Sequence, residues 1–223
     1  MRNRLSSTFV YAMAMLLLVN CAATTKETKK KDYSYSAAEQ RMREKAKNFD
    51  KTVWQGVLIG AAGGAASGGL LSGDWKGAAW GAAGGGIAGG LGGLYIADKQ
   101  KKFATREEQL NSMIGDIRNS NKENEEFIAS VQEVLKEDRR RLDAINQKYE
   151  QGAATKKELE MERERTKDNQ VVVEDAIKGA KEKLELFEKA QEEYKSDTLA
   201  QEIQTYEDQM STLDALADAF ASA

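Results

Sequence analysis

Few residues in this 223-residue chain have the types and spacing that enzyme chemistry needs. Histidine is absent, which excludes imidazole general bases, Ser-His-Asp and Cys-His triads and histidine metal sites. Glu158 and Glu162 lie four residues apart on a predicted helix, a spacing that would suit an oxygen-liganded cation, but charged helix faces are usually solvated. Gly84, Gly86 and Gly89 match a dinucleotide-binding fingerprint, but no strand precedes them. We therefore predict no enzyme activity, cofactor, metal site or small-molecule substrate.

The single cysteine follows an apolar N-terminal segment. Two arginines precede the apolar run from Phe9 to Val19, which is shorter than the roughly 20 residues of a membrane span. The run ends in Leu18-Val19-Asn20-Cys21, which resembles the lipobox of bacterial lipoproteins. The resemblance implies cleavage before Cys21 and acylation of its thiol and amine. Since Ala22 follows and not Asp, it also implies transfer to the outer membrane.

The alternative is an ordinary signal peptide that is cut after Ala22 or Ala23. We predict a signal peptide over 1–20 and a basic linker over 21–52 that ends in a short charged helix at 37–52. Residues 22–52 contain nine basic and five acidic residues, whereas the chain from 107 onward contains 17 basic and 29 acidic residues. Because the mature chain is acidic, we expect no nucleic-acid partner.

Glycine is concentrated in one ordered region, since sixteen of the 19 glycines lie between Gly56 and Gly93. Residues four apart share a helix face, so a row of glycines with this spacing forms a groove in which two helices approach closely in lipid. In water each glycine would cost up to about 1 kcal/mol relative to alanine in a helix interior. The two rows are Gly56, Gly60, Gly64 and Gly68, and then Gly73, Gly77, Gly81, Gly85, Gly89 and Gly93.

The lengths of this region match a membrane. Val53–Gly73 and Gly77–Ala97 are uncharged, and each would extend about 31 Å as a helix, close to the ~30 Å hydrocarbon core. Trp54 and Tyr95 would mark one interface, as an aromatic belt does. The pattern resembles the glycine-zipper two-helix membrane domain of Gram-negative envelope proteins, which implies a self-associating hairpin in membrane lipid over 53–98. The alternative is a glycine-rich loop without membrane contact.

The remainder of the chain, 99–223, is predicted to be a helical coiled-coil domain, and the fold class all-α. Proline is absent, which favours long uninterrupted helices. We expect the first helix to end near Gly152, Thr155 to cap a second helix over Lys156–Lys195, and a third stretch to follow a phase slip at Ser196. The heptad seam of the first helix includes the polar Asn121, Asn124 and Asp138. Its apolar positions are Leu110, Ile114, Ile117, Ile128, Val131, Leu135, Leu142 and Ile145.

Together these features predict a non-enzymatic lipoprotein of the outer membrane, whose helical arm lies in the periplasm and tethers or scaffolds envelope components. Its expected partners are membrane lipid, further copies of the chain and an envelope protein bound through the coiled coil. One alternative is a pore or secretion-channel component that the zipper hairpins form as an oligomer. A second is an adaptor that binds one envelope complex through the coiled coil, and a third places the arm at the cell surface.

Overall fold

Capping residues begin the helices of the computed structural model, which describes residues 33–58 and 90–222. Ser36, Thr105 and Thr155 each form a capping box with the glutamate three residues later, which satisfies backbone donors at the start of the helix. The described residues form helices and no strand, so the predicted all-α class is confirmed. The helices are α1 (Ala37–Ala46), α2 (Lys51–Leu58), α3 (Gly90–Lys102), α4 (Arg106–Glu150), α5 (Lys156–Tyr194) and α6 (Asp197–Ala221).

The predicted breaks between the long helices are confirmed. Gly152 has a φ of 69°, the left-handed conformation that glycine adopts readily, and it lies in the short loop between α4 and α5. Lys195 ends α5 with a φ of 51°, and Ser196 caps α6 through the backbone N–H of Leu199. These two short connections make α5 antiparallel to both α4 and α6.

The three long helices pack on one another within a single chain, and all six helices belong to one compact unit that begins at Tyr35. At 45 residues, α4 is about 67 Å long. The arm folds back on itself, because α5 and α6 both cover α4. The buried face of α6 repeats every three or four residues and consists of Leu199, Ile203, Tyr206, Met210, Leu213, Ala217 and Phe220.

The shorter helices form a row along α4 and α5. Arg41 pairs with Glu133 of α4 and Lys45 pairs with Glu126, both at 2.7 Å, so α1 runs antiparallel to α4. Further along α4, α3 packs in the same direction, since Tyr95 contacts Asp116 and Lys99 contacts Ser112. A 3₁₀ turn (Lys47–Phe49) and α2 continue from α1. Of this row, the described residues before the glycine-rich segment end at Leu58, and those after it begin at Gly90.

The predicted domain boundaries at 53 and 98 both fall inside helices, α2 and α3. The turn Asp74-Trp75-Lys76 and the central part of the predicted hairpin lie outside the described residues. Trp54 and Tyr95, the two predicted interface aromatics, are 2% and 0% exposed. The position of Tyr95 follows from packing, because its ring lies edge-on to Phe187 of α5, with 6.0 Å between the ring centroids.

Candidate functional site

The structure describes two of the ten predicted zipper glycines. Gly56 of α2 is exposed, with no atom within 4 Å of the position that a Cβ would take, whereas Gly93 of α3 is buried. Cys21 also lies outside the described residues, so its acylation stays a prediction. The other predicted zipper positions, also outside the described residues, are Gly60, Gly64, Gly68, Gly73, Gly77, Gly81, Gly85 and Gly89.

The predicted seam of α4 faces the other helices of the same chain. Five of its apolar positions are buried, whereas Leu110, Ile128 and Ile145 are half-buried. The polar seam positions Asn121 and Asp138 are buried as well, and each bonds to another helix. The buried apolar seam positions are Ile114, Ile117, Val131, Leu135 and Leu142.

A buried polar cluster attaches α1 to the long helices. We call it the Glu39 cluster, and it comprises Glu39, Asp138, Arg141, Arg165 and Asn169. Arg165 Nε and Asn169 Nδ2 each donate to Glu39 Oε1 at 2.8 Å, and Arg141 Nη2 donates to the same oxygen at 3.2 Å. Asn169 also donates to Asp138 Oδ2 at 3.0 Å, and Arg141 pairs with Asp138. Three helices therefore meet at one carboxylate, which is fully buried.

The electrostatics of the Glu39 cluster differ between its two carboxylates. Burial by itself would raise the pKa of Glu39, but the hydrogen bonds from Arg165, Asn169 and the Ser36 backbone outweigh it and lower the pKa from 4.5 to about 2. For Asp138, burial prevails over its hydrogen bond from Asn169 and raises the pKa above 3.8. Glu39 is thus held as an anion by two guanidinium groups, and it stabilises the position of α1.

A close backbone contact follows the Glu39 cluster along the row. The carbonyl oxygen of Phe49, at the end of the 3₁₀ turn, would lie 1.8 Å from a Cβ on Gly179 of α5. The Phe49 ring packs on Phe127 of α4, with 5.0 Å between the ring centroids. Only glycine permits this approach, and it places Phe49 between α4 and α5 immediately before α2.

A second polar contact attaches α3 on the far side of the glycine-rich segment. Tyr95 donates its hydroxyl to Asp116 Oδ2 at 2.8 Å, and Lys99 Nζ lies 2.5 Å from the same oxygen. Lys99 Nζ also contacts Ser112 Oγ at 2.9 Å. Both α3 residues are buried, so the charge of Lys99 has its partners inside the bundle.

Sequence reasoning missed the two attachment points. Glu39 sits in a segment that reads as a charged linker helix, and Arg165 and Asn169 lie in the mostly polar first half of α5. Two signals were available: the capping-box spacing of Ser36 and Glu39, and a charged residue, Asp138, within an apolar seam. Neither signal identifies which residues meet, because Glu39 meets Arg141 and Arg165 more than 100 positions away, and Asp138 meets Asn169 31 positions away.

Among residues 33–58 and 90–222, no three or more acidic side chains are arranged so that they could bind a metal ion. No helix in the same ranges combines the length and the apolar character that crossing a membrane requires. Comparison of the chain with protein-family models, curated proteins and solved structures found no match.

Proposed function

We propose that the chain is a non-enzymatic, lipid-anchored scaffold protein of the Gram-negative outer membrane. In this proposal Cys21 carries the lipid, and the segment between α2 and α3 inserts as a glycine-zipper hairpin that associates with further copies. The helical bundle lies in the periplasm, holds both ends of the hairpin and presents its outer faces to envelope components.

One observation carries this proposal. The helices before and after the glycine-rich segment lie in succession along the same two helices, α4 and α5. On α5, Lys51 pairs with Glu182, and Gly92 lies against Lys189, so the two contacts are about two helical turns apart. Flanking helices that attach at neighbouring places on one bundle suit a hairpin between them, since both ends of a hairpin lie on one side of the membrane.

The attachments give the bundle a mechanical role. The Glu39 cluster and the Phe49–Gly179 contact fix the chain before the hairpin, and the Tyr95–Asp116 contact fixes it afterwards. Because both ends are fixed to the same rigid helices, association of hairpins in lipid would also hold the bundles of neighbouring copies close together. A scaffold requires this kind of coupling between anchor and outer surface.

Membrane fractionation with carbonate extraction tests the proposal. Three variants are compared with the wild type: Cys21→Ala, replacement of 60–88 by a short Gly/Ser linker, and both changes combined. The replacement leaves α2 and α3 intact, so the bundle keeps both attachments. We expect either single change to leave the protein in the extracted membranes and the combination to release it.

Circular dichroism of the released double variant provides the control, because an intact bundle must retain the helix content of α1 to α6. Release of the Cys21→Ala protein alone would overturn the inserted hairpin. Retention with the inner-membrane fraction, in place of the outer, would overturn the assigned location.

A further inference from the structure

The groove that α6 fills continues beyond the end of α6. Lys181 of α5 pairs with Asp214 of α6 at 3.0 Å, and α6 runs antiparallel to α5. Its last residue, Ala221, therefore lies near the middle of α5, while α4 and α5 extend for several more turns. The apolar seam of α4 also extends beyond the part that α6 covers. Ile145 is half-buried, and Tyr149, one heptad beyond Leu142, is 43% exposed.

An open cavity of about 260 Å³ marks the start of this uncovered stretch. Its apolar lining comes from Leu135 of α4 and Leu216 of α6. We call it the terminal groove. Its charged lining consists of Lys136, Arg139, Arg140 and Asp143, all of them exposed and all from α4.

The three cations of the terminal groove have no carboxylate partner within 4 Å among the described residues. Further back along the same side of α4, Arg118 pairs with Glu202 of α6 at 2.6 Å. The sequence of α6 contains acidic residues and no lysine or arginine. Glu202 of the acidic helix α6 thus neutralises Arg118 of α4, and no carboxylate among the described residues does the same for Lys136, Arg139 and Arg140.

We propose that the terminal groove binds an acidic amphipathic helix of a partner protein, seated in line with α6. The partner would place an apolar side chain on Leu135 and Leu216 and carboxylates against Lys136, Arg139 and Arg140. The groove continues an interface that already accepts a helix of this chemistry, and its charge is complementary to the same class of ligand.

A phosphate polymer fits the terminal groove less well than an acidic helix does. The apolar lining offers nothing to a phosphate backbone, and Asp143 would repel it. The chain from residue 107 onward, which includes these cations, has an excess of acidic residues. This excess of negative charge opposes the long contacts that nucleic acid or an anionic bilayer would make.

The test uses the full-length protein and a labelled peptide with the sequence of residues 197–221 as the acidic helical probe. The groove variant carries Lys136→Gln, Arg139→Gln and Arg140→Gln. The matched control carries Lys47→Gln, Lys101→Gln and Lys195→Gln, three exposed cations from the 3₁₀ turn, α3 and the end of α5 that line no part of the groove. A second peptide replaces every acidic residue of the probe by its amide.

We expect the groove variant to bind the acidic peptide about tenfold more weakly than the wild type, because three exposed charge pairs are lost. The control variant should change the affinity less than twofold, and the amide peptide should bind weakly to all three proteins. The proposal is overturned if the wild type does not bind the acidic peptide, or if the control variant weakens binding equally. It is also overturned if only an oligonucleotide or anionic vesicles bind in a groove-dependent way.

This proposal rests on the scaffold role proposed above and not on the membrane hairpin. Peptide binding to the full-length protein depends on the groove residues, whereas the hairpin is tested by membrane retention. Each can therefore fail without the other.

Discussion

The attachments of α6 and α1 to the same pair of helices differ in their chemistry. Seven apolar side chains at three- and four-residue spacing attach α6, and all of them are buried. Helix α1 buries two apolar residues, Ala38 and Met42, and depends on the fully buried Glu39 and its guanidinium partners. Apolar burial stabilises α6 against any apolar helix face and so depends little on its exact position. By contrast, α1 is stable only in the one position that neutralises Glu39.

Truncation of the apolar core should have the largest effect. Phe187 of α5 is fully buried between Tyr95 of α3 and Tyr206 of α6, with 6.0 Å between ring centroids on each side. We expect Phe187→Ala to lower the free energy of unfolding by about 3–5 kcal/mol, because it removes apolar burial and leaves a cavity. Denaturant unfolding measures this loss. Val171→Ala, at a position 45% exposed, should change it by less than about 0.5 kcal/mol.

Removal of the charge of Glu39 should be slightly less costly and more local. Glu39→Gln removes the buried anion that pairs with Arg165, whereas Arg141 keeps its pairs with Asp138 and Glu162, and we expect a cost of about 3 kcal/mol. Because α1 is peripheral, hydrogen exchange should rise by about two orders of magnitude over 37–49 and stay unchanged in α6. Glu44→Gln, at an exposed position of the same helix, is the control. A uniform rise in exchange throughout the chain would show that the cluster supports the whole fold.

Gly179→Ala should show how much the close Phe49–Gly179 backbone contact stabilises the protein, independently of the charges of the Glu39 cluster. A Cβ there would lie 1.8 Å from the Phe49 carbonyl oxygen, so we expect a loss of about 1–3 kcal/mol as the 3₁₀ turn is displaced. Gly115→Ala in α4 has no atom within 4 Å of the new Cβ and should stabilise the protein by up to about 1 kcal/mol. Thermal unfolding of the two variants measures both. Equal shifts would contradict the close contact.

Acidification should weaken the attachment of α1 gradually. The pKa of Glu39 is about 2 in the folded protein and 4.5 in the unfolded chain, so its contribution is complete above pH 4.5 and is lost as the pH falls toward 2. Asp138 acts in the opposite direction, because its raised pKa favours the folded state on protonation, and it partly offsets the loss. Hydrogen exchange of 37–49 between pH 5 and 2.5, corrected for intrinsic rates, measures the net effect. In Glu39→Gln this acid-dependent loss should be absent.

The difference between the two attachments also explains what the sequence could predict. The seam of α6, the left-handed Gly152 and the cap at Thr155 depend on residues close together in the chain, so periodicity and turn chemistry identify them. Ile145 is half-buried because it lies near the end of the α4 seam, where fewer residues cover it. The Glu39 cluster depends on matching one buried anion to cations on two other helices, and no local pattern encodes that match. The packing of α3 in the row along α4 and α5 was also not predicted, because most of α3 lies within the predicted membrane hairpin over 53–98.

The separation of the Glu39 cluster along the chain has a consequence for the order of assembly. Glu39 and Arg165 are 126 positions apart, so a chain that emerges from its N-terminus first makes α1 and the glycine-rich segment long before the arginine exists. During that interval α1 lacks its partners on α5, whereas Tyr95 meets Asp116, which follows only 21 positions later. The end of the glycine-rich segment that follows α1 and α2 is therefore attached last, when α5 completes the row.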